Sequence, residues 1–349
     1  MKNPDNGGYA KIDRNYYQDK KGSLLDIFGA SEIEITAGAI VVDGASYPVV
    51  DDVIVLLKPE FWTEELKSRI GKLNAGCPGK ATAPQEFAGD IQFTFGKEWR
   101  KYPDILPGHQ NEFKLYFDLV DTEKLSSSRV CDLGCGIGRW SYFLKDKARE
   151  LILLDFSEAI FVARVNLKDA GNAMFFMGDI KKLPFRENFA DLIFSLGVLH
   201  HLPTNALDEA RTLSKYSKEL LVFVYYDLDN RPYIWRVILY CVTLVRVIVS
   251  KIKSEAARSV LTWLITLLVY LPLICAGKLF ALVKLGKYIP LYDFYHDKTV
   301  KRIQQDVYDR FFTRIENRYT RNEILKLNDT FKEVVISENL PYWHFLCRN

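Results

Sequence analysis

A doubly wound α/β sheet is the fold class predicted for this chain, on two observations. Apolar runs of strand length alternate with helical patterns from Arg129 to about Val224, and a glycine-rich turn follows the first of those runs. The runs are RVCDLG, LILLDF, AMFFMGDI, ADLIFSLG and ELLVFVY. Helices are expected after the first, second and fourth, and a loop after the third. The closing stretch RNEILKLNDTFKEVVISENLPYWHFLCRN reads as a helix and two further strands.

Composition bounds what such a domain can be. The 349 residues exceed one typical domain, so an α/β domain with accessory segments is the expectation. Hydrophobic residues make up 48% and charged residues 26%, enough to build a packed core. Lys and Arg number 47 against 44 Asp and Glu, a net charge of +3, so no global field points to nucleic acid as partner. The six cysteines form no CxxC pair, which excludes a zinc ribbon and a disulfide framework. The polar start MKNPDNGGYAKIDRNYYQDKK carries no apolar signal segment, and a cytoplasmic setting is expected.

Shifts in composition divide the chain into five segments. Residues 1–60 alternate apolar and polar in IEITAGAIVVDGASYPVVDDVIVLL, with Gly38 and Gly44 as turn signals, and predict a small β module. With no cysteine or histidine there, the module is expected to hold no metal. Residues 61–128 read as a linker and lid helix around FTFGKEWRKYPD, residues 129–224 as the cofactor-binding core, 225–319 as an apolar helical insertion, and 320–349 as the closing elements.

The turn Asp132-Leu133-Gly134-Cys135-Gly136-Ile137-Gly138-Arg139 brings backbone close to whatever it binds. Asp155 ends the next strand about twenty residues on, where a carboxylate can accept hydrogen bonds from two ribose hydroxyls. Gly178-Asp179-Ile180 brings a further acid to the same edge. A dinucleotide fingerprint would place its third glycine at Arg139, whereas the chain has it at Gly138, so a nicotinamide cofactor is disfavoured. Asp132 sits where it can meet a cationic ligand end.

DLGCGIGRW, LLDFS, MGDI and FSLGVLHHLP together resemble the motifs of the class I (Rossmann-like) S-adenosylmethionine-dependent methyltransferases, over about Arg129 to Val224. The resemblance implies a seven-stranded sheet and S-adenosylmethionine as cofactor. It implies binding of the methionine end by Asp132, Gly134 and Gly136, of the ribose by Asp155, and of adenine by Phe156, Asp179 and Ile180. Cys135, Arg139, Ser157, Ser195 and Leu196 complete the expected cofactor set. YPVVDDVIVLL is similar to the end of a zinc-ribbon module that accompanies many methyltransferases, here without the metal cysteines.

On the acceptor side, His200 and His201 are the catalytic candidates, His200 as general base or acceptor contact and His201 with helix-start packing as its competing role. Methyl transfer from a sulfonium is an in-line displacement in which alignment supplies much of the rate, so a base is needed only for a protonated acceptor. The absence of an Asp-Pro-Pro-Tyr tetrad lowers a nucleic-acid acceptor, and FSLGVLHHLP resembles the branch that methylates small molecules and lipids.

The insertion is placed to roof the acceptor pocket, and its length points to function. YIWRVILYCVTLVRVIVSKIK and SVLTWLITLLVYLPLICAGKLFALVKLGK predict helices and an apolar acceptor. No residue from Ser259 to Gly277 is charged, long enough to reach the roughly 18 residues of a membrane span, with Pro272 as an interruption. Peripheral membrane contact through 233–287 is the alternative to a buried lid, with Arg236, Arg246, Lys251, Lys253, Lys278, Lys284 and Lys287 able to face anionic head groups. Trp99, Tyr102, Tyr292 and Tyr295 are acceptor candidates, and core packing is the competing role of the aromatic cluster that ends the insertion.

Two other functions compete with a methyltransferase acting on a hydrophobic small molecule or lipid: a pseudo-methyltransferase scaffold, and an RNA methyltransferase. Lys97 to Lys101 is too short a basic face for the last.

Overall fold

The computed structural model describes residues 16–36, 38–72, 102–252, 254–313 and 315–349. Before residue 60 the alternating sequence folds as four short strands, β1 (Ile33–Ile35), β2 (Ala39–Val42), β3 (Ala45–Val50) and β4 (Val53–Val55). Asp43 and Gly44 turn β2 into β3 with φ angles of 46° and 84°, the left-handed geometry that a tight hairpin requires.

The central runs become β5 (Arg129–Leu133), β6 (Glu150–Asp155), β7 (Ala173–Met177), β8 (Ala190–Leu196) and β9 (Ser217–Phe223). A two-residue pair, β10 (Tyr225–Tyr226) and β11 (Arg318–Tyr319), brackets the insertion, and β12 (Glu333–Ile336) and β13 (His344–Arg348) close the chain. The main sheet has the order β1-β2-β3-β4-β7-β6-β5-β8-β9-β13-β12. Its inner strands β4, β7, β6, β5, β8 and β9 are mutually parallel, and β13 returns antiparallel to β9. The expected seven strands are the stretch from β7 to β12. The amino-terminal strands are not a module standing apart, since β4 pairs parallel with β7 and carries the same sheet outward.

Both faces of the sheet are covered, which is why its strands are apolar without alternation. Along β6, Ile152 and Leu154 enter one core while Leu151 and Leu153 enter the other. Helices α1 (Lys21–Phe28), α2 (Glu64–Gly71), α3 (His109–Tyr116), α4 (Ala159–Asn166) and α5 (Ala206–Leu213) lie on these layers. Buried ion pairs tie the amino-terminal part to them. Arg164 of α4 meets Asp52 at 2.8 Å, and Arg129 bridges Asp26 and Glu150 at 2.5 Å each.

One expected helix is missing. After β5 the chain makes turns and a single 3₁₀ segment, Ser141–Phe143, instead of an α-helix. Three glycines followed by Trp140, Ser141, Tyr142 and Phe143 give this stretch little helical propensity.

The insertion is helical as expected: α6 (Tyr233–Val249), α7 (Glu255–Ala281), the short α8 (Tyr292–Tyr295) and α9 (Val300–Phe312). Pro272 does not end α7. A π turn over Thr266–Tyr270 precedes it and accommodates the missing donor and the ring, so the helix continues. Tyr270, Ile274, Tyr295, Ile303 and Val307 form a separate small core beneath the insertion. After it, α10 (Arg321–Leu325) begins with a capping box between Thr320 and Glu323 and leads into β12.

Candidate active site

Parallel strands deliver their carboxyl ends to one edge of a sheet, and there the glycine turn that leaves β5 is pinned to the end of its parallel neighbour β6. Gly134 and Cys135 donate their N–H groups to the Leu154 carbonyl at 2.7 and 3.1 Å. Gly134 holds φ +80°, and a Cβ there would stand 2.5 Å from Val198 of the β8 loop. Gly138 holds φ +73° with Leu167 2.6 Å from the place of a Cβ. Glycine at these two positions therefore satisfies both backbone conformation and close packing.

Asp155 is locked to this turn. Its Oδ2 accepts the Gly136 N–H at 2.8 Å, and its Oδ1 accepts the Ser157 N–H at 2.8 Å and hydroxyl at 2.7 Å. Burial raises its pKa above the ordinary carboxylate value, against the pull of these donors. Asp132 lies deeper, 2% exposed, where its Oδ2 accepts the Ser141 hydroxyl at 2.8 Å. Burial pushes its carboxyl up to about 8, with the Asp155 charge adding to the effect.

A cavity of about 650 Å³ opens from this edge towards the insertion. Of the cofactor candidates, Gly134, Cys135, Gly136, Arg139, Asp155, Phe156, Asp179, Ile180 and Leu196 line it. Asp132, Ser157 and Ser195 do not. Ser157 orients Asp155 from behind, and Ser195 donates its hydroxyl to the Leu133 carbonyl at 2.9 Å, joining β8 to β5. Phe61, which the sequence did not single out, also lines the cavity and packs edge-on against Phe156 with ring centres 5.9 Å apart.

The two histidines separate. His201 lines the cavity, its Nδ1 2.7 Å from the Ile315 carbonyl. His200 is fully buried behind it, stacked on Tyr225 with ring centres 4.0 Å apart, and is not on the cavity wall. Burial drives the His200 imidazole well below its usual pKa and His201 adds to that, so the ring is neutral. The base role expected of His200 does not fit this position.

Among the acceptor candidates, Tyr295 lines the cavity and donates its hydroxyl to Asp306 at 2.8 Å. Tyr292 instead packs on α7, where its ring stands 2.3 Å from the place a Cβ on Gly277 would take. Tyr102 is not among the lining residues, and Trp99 lies outside the described residues. Arg246, expected to face head groups, turns inward and donates to the Thr313 carbonyl at 2.9 Å, and Arg236, also expected there, pairs with Asp227. Lys253 and the Lys287 side chain lie outside the described residues, whereas Lys251, Lys278 and Lys284 are exposed. Among the described residues no group of three or more His, Cys, Asp or Glu is arranged to hold a metal ion.

A doubly wound sheet with a glycine turn, a carboxylate at the end of the neighbouring strand and a cavity at the switch of strand order is an architecture that binds ligands at that edge. Residues 130–216 match the family model described as a methyltransferase domain, and this part of the chain is a class I methyltransferase domain, of the kind that uses S-adenosylmethionine. No curated protein matches the chain. Among solved structures it is similar to the magnesium protoporphyrin IX methyltransferase of Synechocystis PCC 6803, crystallised with S-adenosylhomocysteine, at 18% identity and a TM-score of 0.41, covering 74% of this chain and 95% of that one. It is also similar to the phosphoethanolamine N-methyltransferase 1 of Haemonchus contortus, at 21% identity and a TM-score of 0.34, covering 40% of this chain and 32% of that one. A methyltransferase of Aquifex aeolicus matches at 19% identity and a TM-score of 0.33, covering 38% and 73%. The matched part spans 49% and 52% of two other such chains.

Proposed function

We propose that this protein transfers a methyl group from S-adenosylmethionine to a hydrophobic small molecule or lipid-like acceptor. The observation that carries the proposal is the composition of one cavity. At one end stand Gly134, Gly136 and Asp155, and at the other the apolar side chains Trp235, Ile238, Leu239, Val269 and Leu273 of α6 and α7. Such an apolar stretch beside the cofactor edge suits a ligand with a substantial hydrocarbon or ring portion, with charged side chains of the insertion bordering the same cavity.

The fit to the cofactor rests on the backbone. The turn leaves no room for a Cβ at Gly134, and the Asp155 carboxylate reaches the cavity while fixed by Gly136 and Ser157. Asp155 would hold the ribose hydroxyls, and Phe156, Asp179 and Ile180 would border the adenine. When bound, S-adenosylmethionine supplies a methyl group activated by its sulfonium. The chain's own contribution is then placement: the cofactor edge and the helical wall hold the two reactants in line and exclude water, the source of rate that a displacement of this kind needs most. His201 is the one histidine on the wall and could accept a proton from an acceptor hydroxyl or amine.

A peripheral contact with a membrane belongs to the same reading. α7 has mean hydropathy 2.2 over its most apolar window, of which 28% is buried. Outward-facing Ile248 and Leu268 are each 71% exposed. From Tyr233 to Leu291 the one acid is Glu255, which faces Tyr308, while Lys251, Lys278 and Lys284 are exposed, a charge pattern suited to anionic lipid. An apolar acceptor would then be drawn from the bilayer.

The test is transfer of labelled methyl from S-adenosylmethionine into solvent-extractable material when a lipid extract is supplied. Label entering that phase with the wild type and not with Asp155→Ala is the expected result. A protein that binds the cofactor yet transfers nothing to any extract would overturn the proposal in favour of a scaffold.

A further inference from the structure

Five arginines reach the cavity from the side of the insertion: Arg231, Arg246, Arg302, Arg310 and Arg318. Four have evident partners. Arg231 meets Asp293 at 2.9 Å, Arg318 meets Glu316 at 2.5 Å, and Arg302 meets Glu112 at 3.1 Å and also Asp306. Arg246 has the Thr313 carbonyl at 2.9 Å and Glu316 at 4.0 Å.

Arg310 differs. Its guanidinium lies 5.5 Å from the ring centre of Tyr225 and 5.8 Å from that of Tyr295, and among the described residues no carboxylate comes within ion-pair distance of it. Two acids on its own helix are already engaged. Asp306 takes Arg302 on one oxygen and the Tyr295 hydroxyl at 2.8 Å on the other. Asp309 faces the Tyr225 hydroxyl and the Thr313 hydroxyl, each at 3.3 Å, and burial raises its pKa towards the neutral form. Arg310 therefore presents to the cavity a guanidinium that has no direct ion pair among the described residues, set amid the Tyr225, Tyr270 and Tyr295 side chains, with Asp306 favouring its cationic form from a greater distance. A planar guanidinium that no carboxylate holds accepts a carboxylate or phosphate in bidentate geometry.

We propose that Arg310 anchors an oxyanion on the acceptor, which is thus an amphiphile: its apolar body lies along Trp235, Leu239 and Leu273, and its carboxylate or phosphate meets Arg310. This rests on the reading of the cavity as the acceptor pocket. It narrows the acceptor from any hydrophobic molecule to an anionic one, and it assigns a specificity residue on α9 that no motif marks.

The test is a titration of the whole protein, with and without saturating S-adenosylhomocysteine, with probes of equal chain length: decanoate, decanol and decylamine, followed by Trp fluorescence. The wild type should bind decanoate at least about tenfold more tightly than decanol, the scale of one charge-assisted hydrogen-bonded contact, and decylamine least. Arg310→Gln should reduce that preference to under about twofold, and Arg310→Lys, which keeps the charge without the bidentate fork, should retain only part of it, with S-adenosylhomocysteine affinity unchanged in both. Equal affinity of the wild type for decanoate and decanol overturns the proposal without recourse to any variant, as does a Gln variant that keeps the preference. Inorganic phosphate that displaces decanoate at equal concentration would make this a free-anion site and overturn the amphiphile. Failure of S-adenosylhomocysteine to bind counts against the cofactor reading instead, because the decanoate comparison is made in its absence as well.

Discussion

Gly136 donates its N–H to Asp155 Oδ2 at 2.8 Å, so the turn after β5 and the end of β6 form one rigid unit. The carboxylate that faces the cavity cannot be moved without disturbing the glycine turn, and the turn cannot relax without releasing the carboxylate. This coupling makes the cofactor edge a preformed surface, and it makes several consequences measurable.

Gly134→Ala should destabilise the protein by about 1–3 kcal/mol and weaken S-adenosylhomocysteine binding, because its positive φ and its contact with Val198 both oppose a Cβ. Adding Val198→Ala should restore part of the loss and not all, since it removes the collision and leaves the dihedral strain. Denaturant unfolding checks both variants, and complete restoration would show that φ carries no cost.

Glu112 and Arg302 form a pair in which both side chains are nearly inaccessible, 2% and 8% exposed. Glu112→Ala leaves the guanidinium with Asp306 alone and should cost about 3–5 kcal/mol in chemical denaturation. A loss below about 1 kcal/mol would mean that water reaches Arg302 through the cavity.

Asp132 predicts a pH dependence of definite sign. Burial pushes its folded carboxyl up to about 8 from an ordinary 3.8, so the folded state holds the proton more tightly than the unfolded chain. The stability this contributes is fully present below about 4 and is lost as pH rises towards 8. Asp132→Asn does not titrate, and its stability relative to wild type should therefore increase across that window. A difference independent of pH would place the Asp132 carboxyl in a wetter site.

Leu267→Asp with Leu268→Asp should reduce co-flotation with anionic liposomes and leave S-adenosylhomocysteine affinity within about twofold, because 48% and 71% of these side chains face outward, away from the cofactor edge. Circular dichroism establishes that the variant is folded. Unchanged flotation would remove the membrane from the account.

Much of this was legible in the sequence for a physical reason: strands covered on both faces are apolar throughout, and β5 to β9 stand out as such runs. The place of Asp155 on the cavity edge was legible because it follows from position at a strand end. Tyr292 and Tyr295 could not be told apart, since only tertiary packing decides that one meets Gly277 and the other the cavity. Likewise His200 and His201 are adjacent, and one 3₁₀ turn sends them to opposite sides of the wall. The pairing of β4 with β7 joins residues more than a hundred positions apart, which no local pattern encodes. A signal for the arginine wall was present: Arg302, Asp306 and Arg310 recur four apart, on one face of α9.

The most direct measurement is a calorimetric titration with S-adenosylhomocysteine of the wild type and of Asp155→Ala. Saturable one-to-one binding by the wild type, weakened by about 1–3 kcal/mol in the variant, is the predicted result, because the change leaves the ribose hydroxyls and the Gly136 N–H without their acceptor. No binding by the wild type, or binding of nicotinamide dinucleotides with equal affinity, would contradict it.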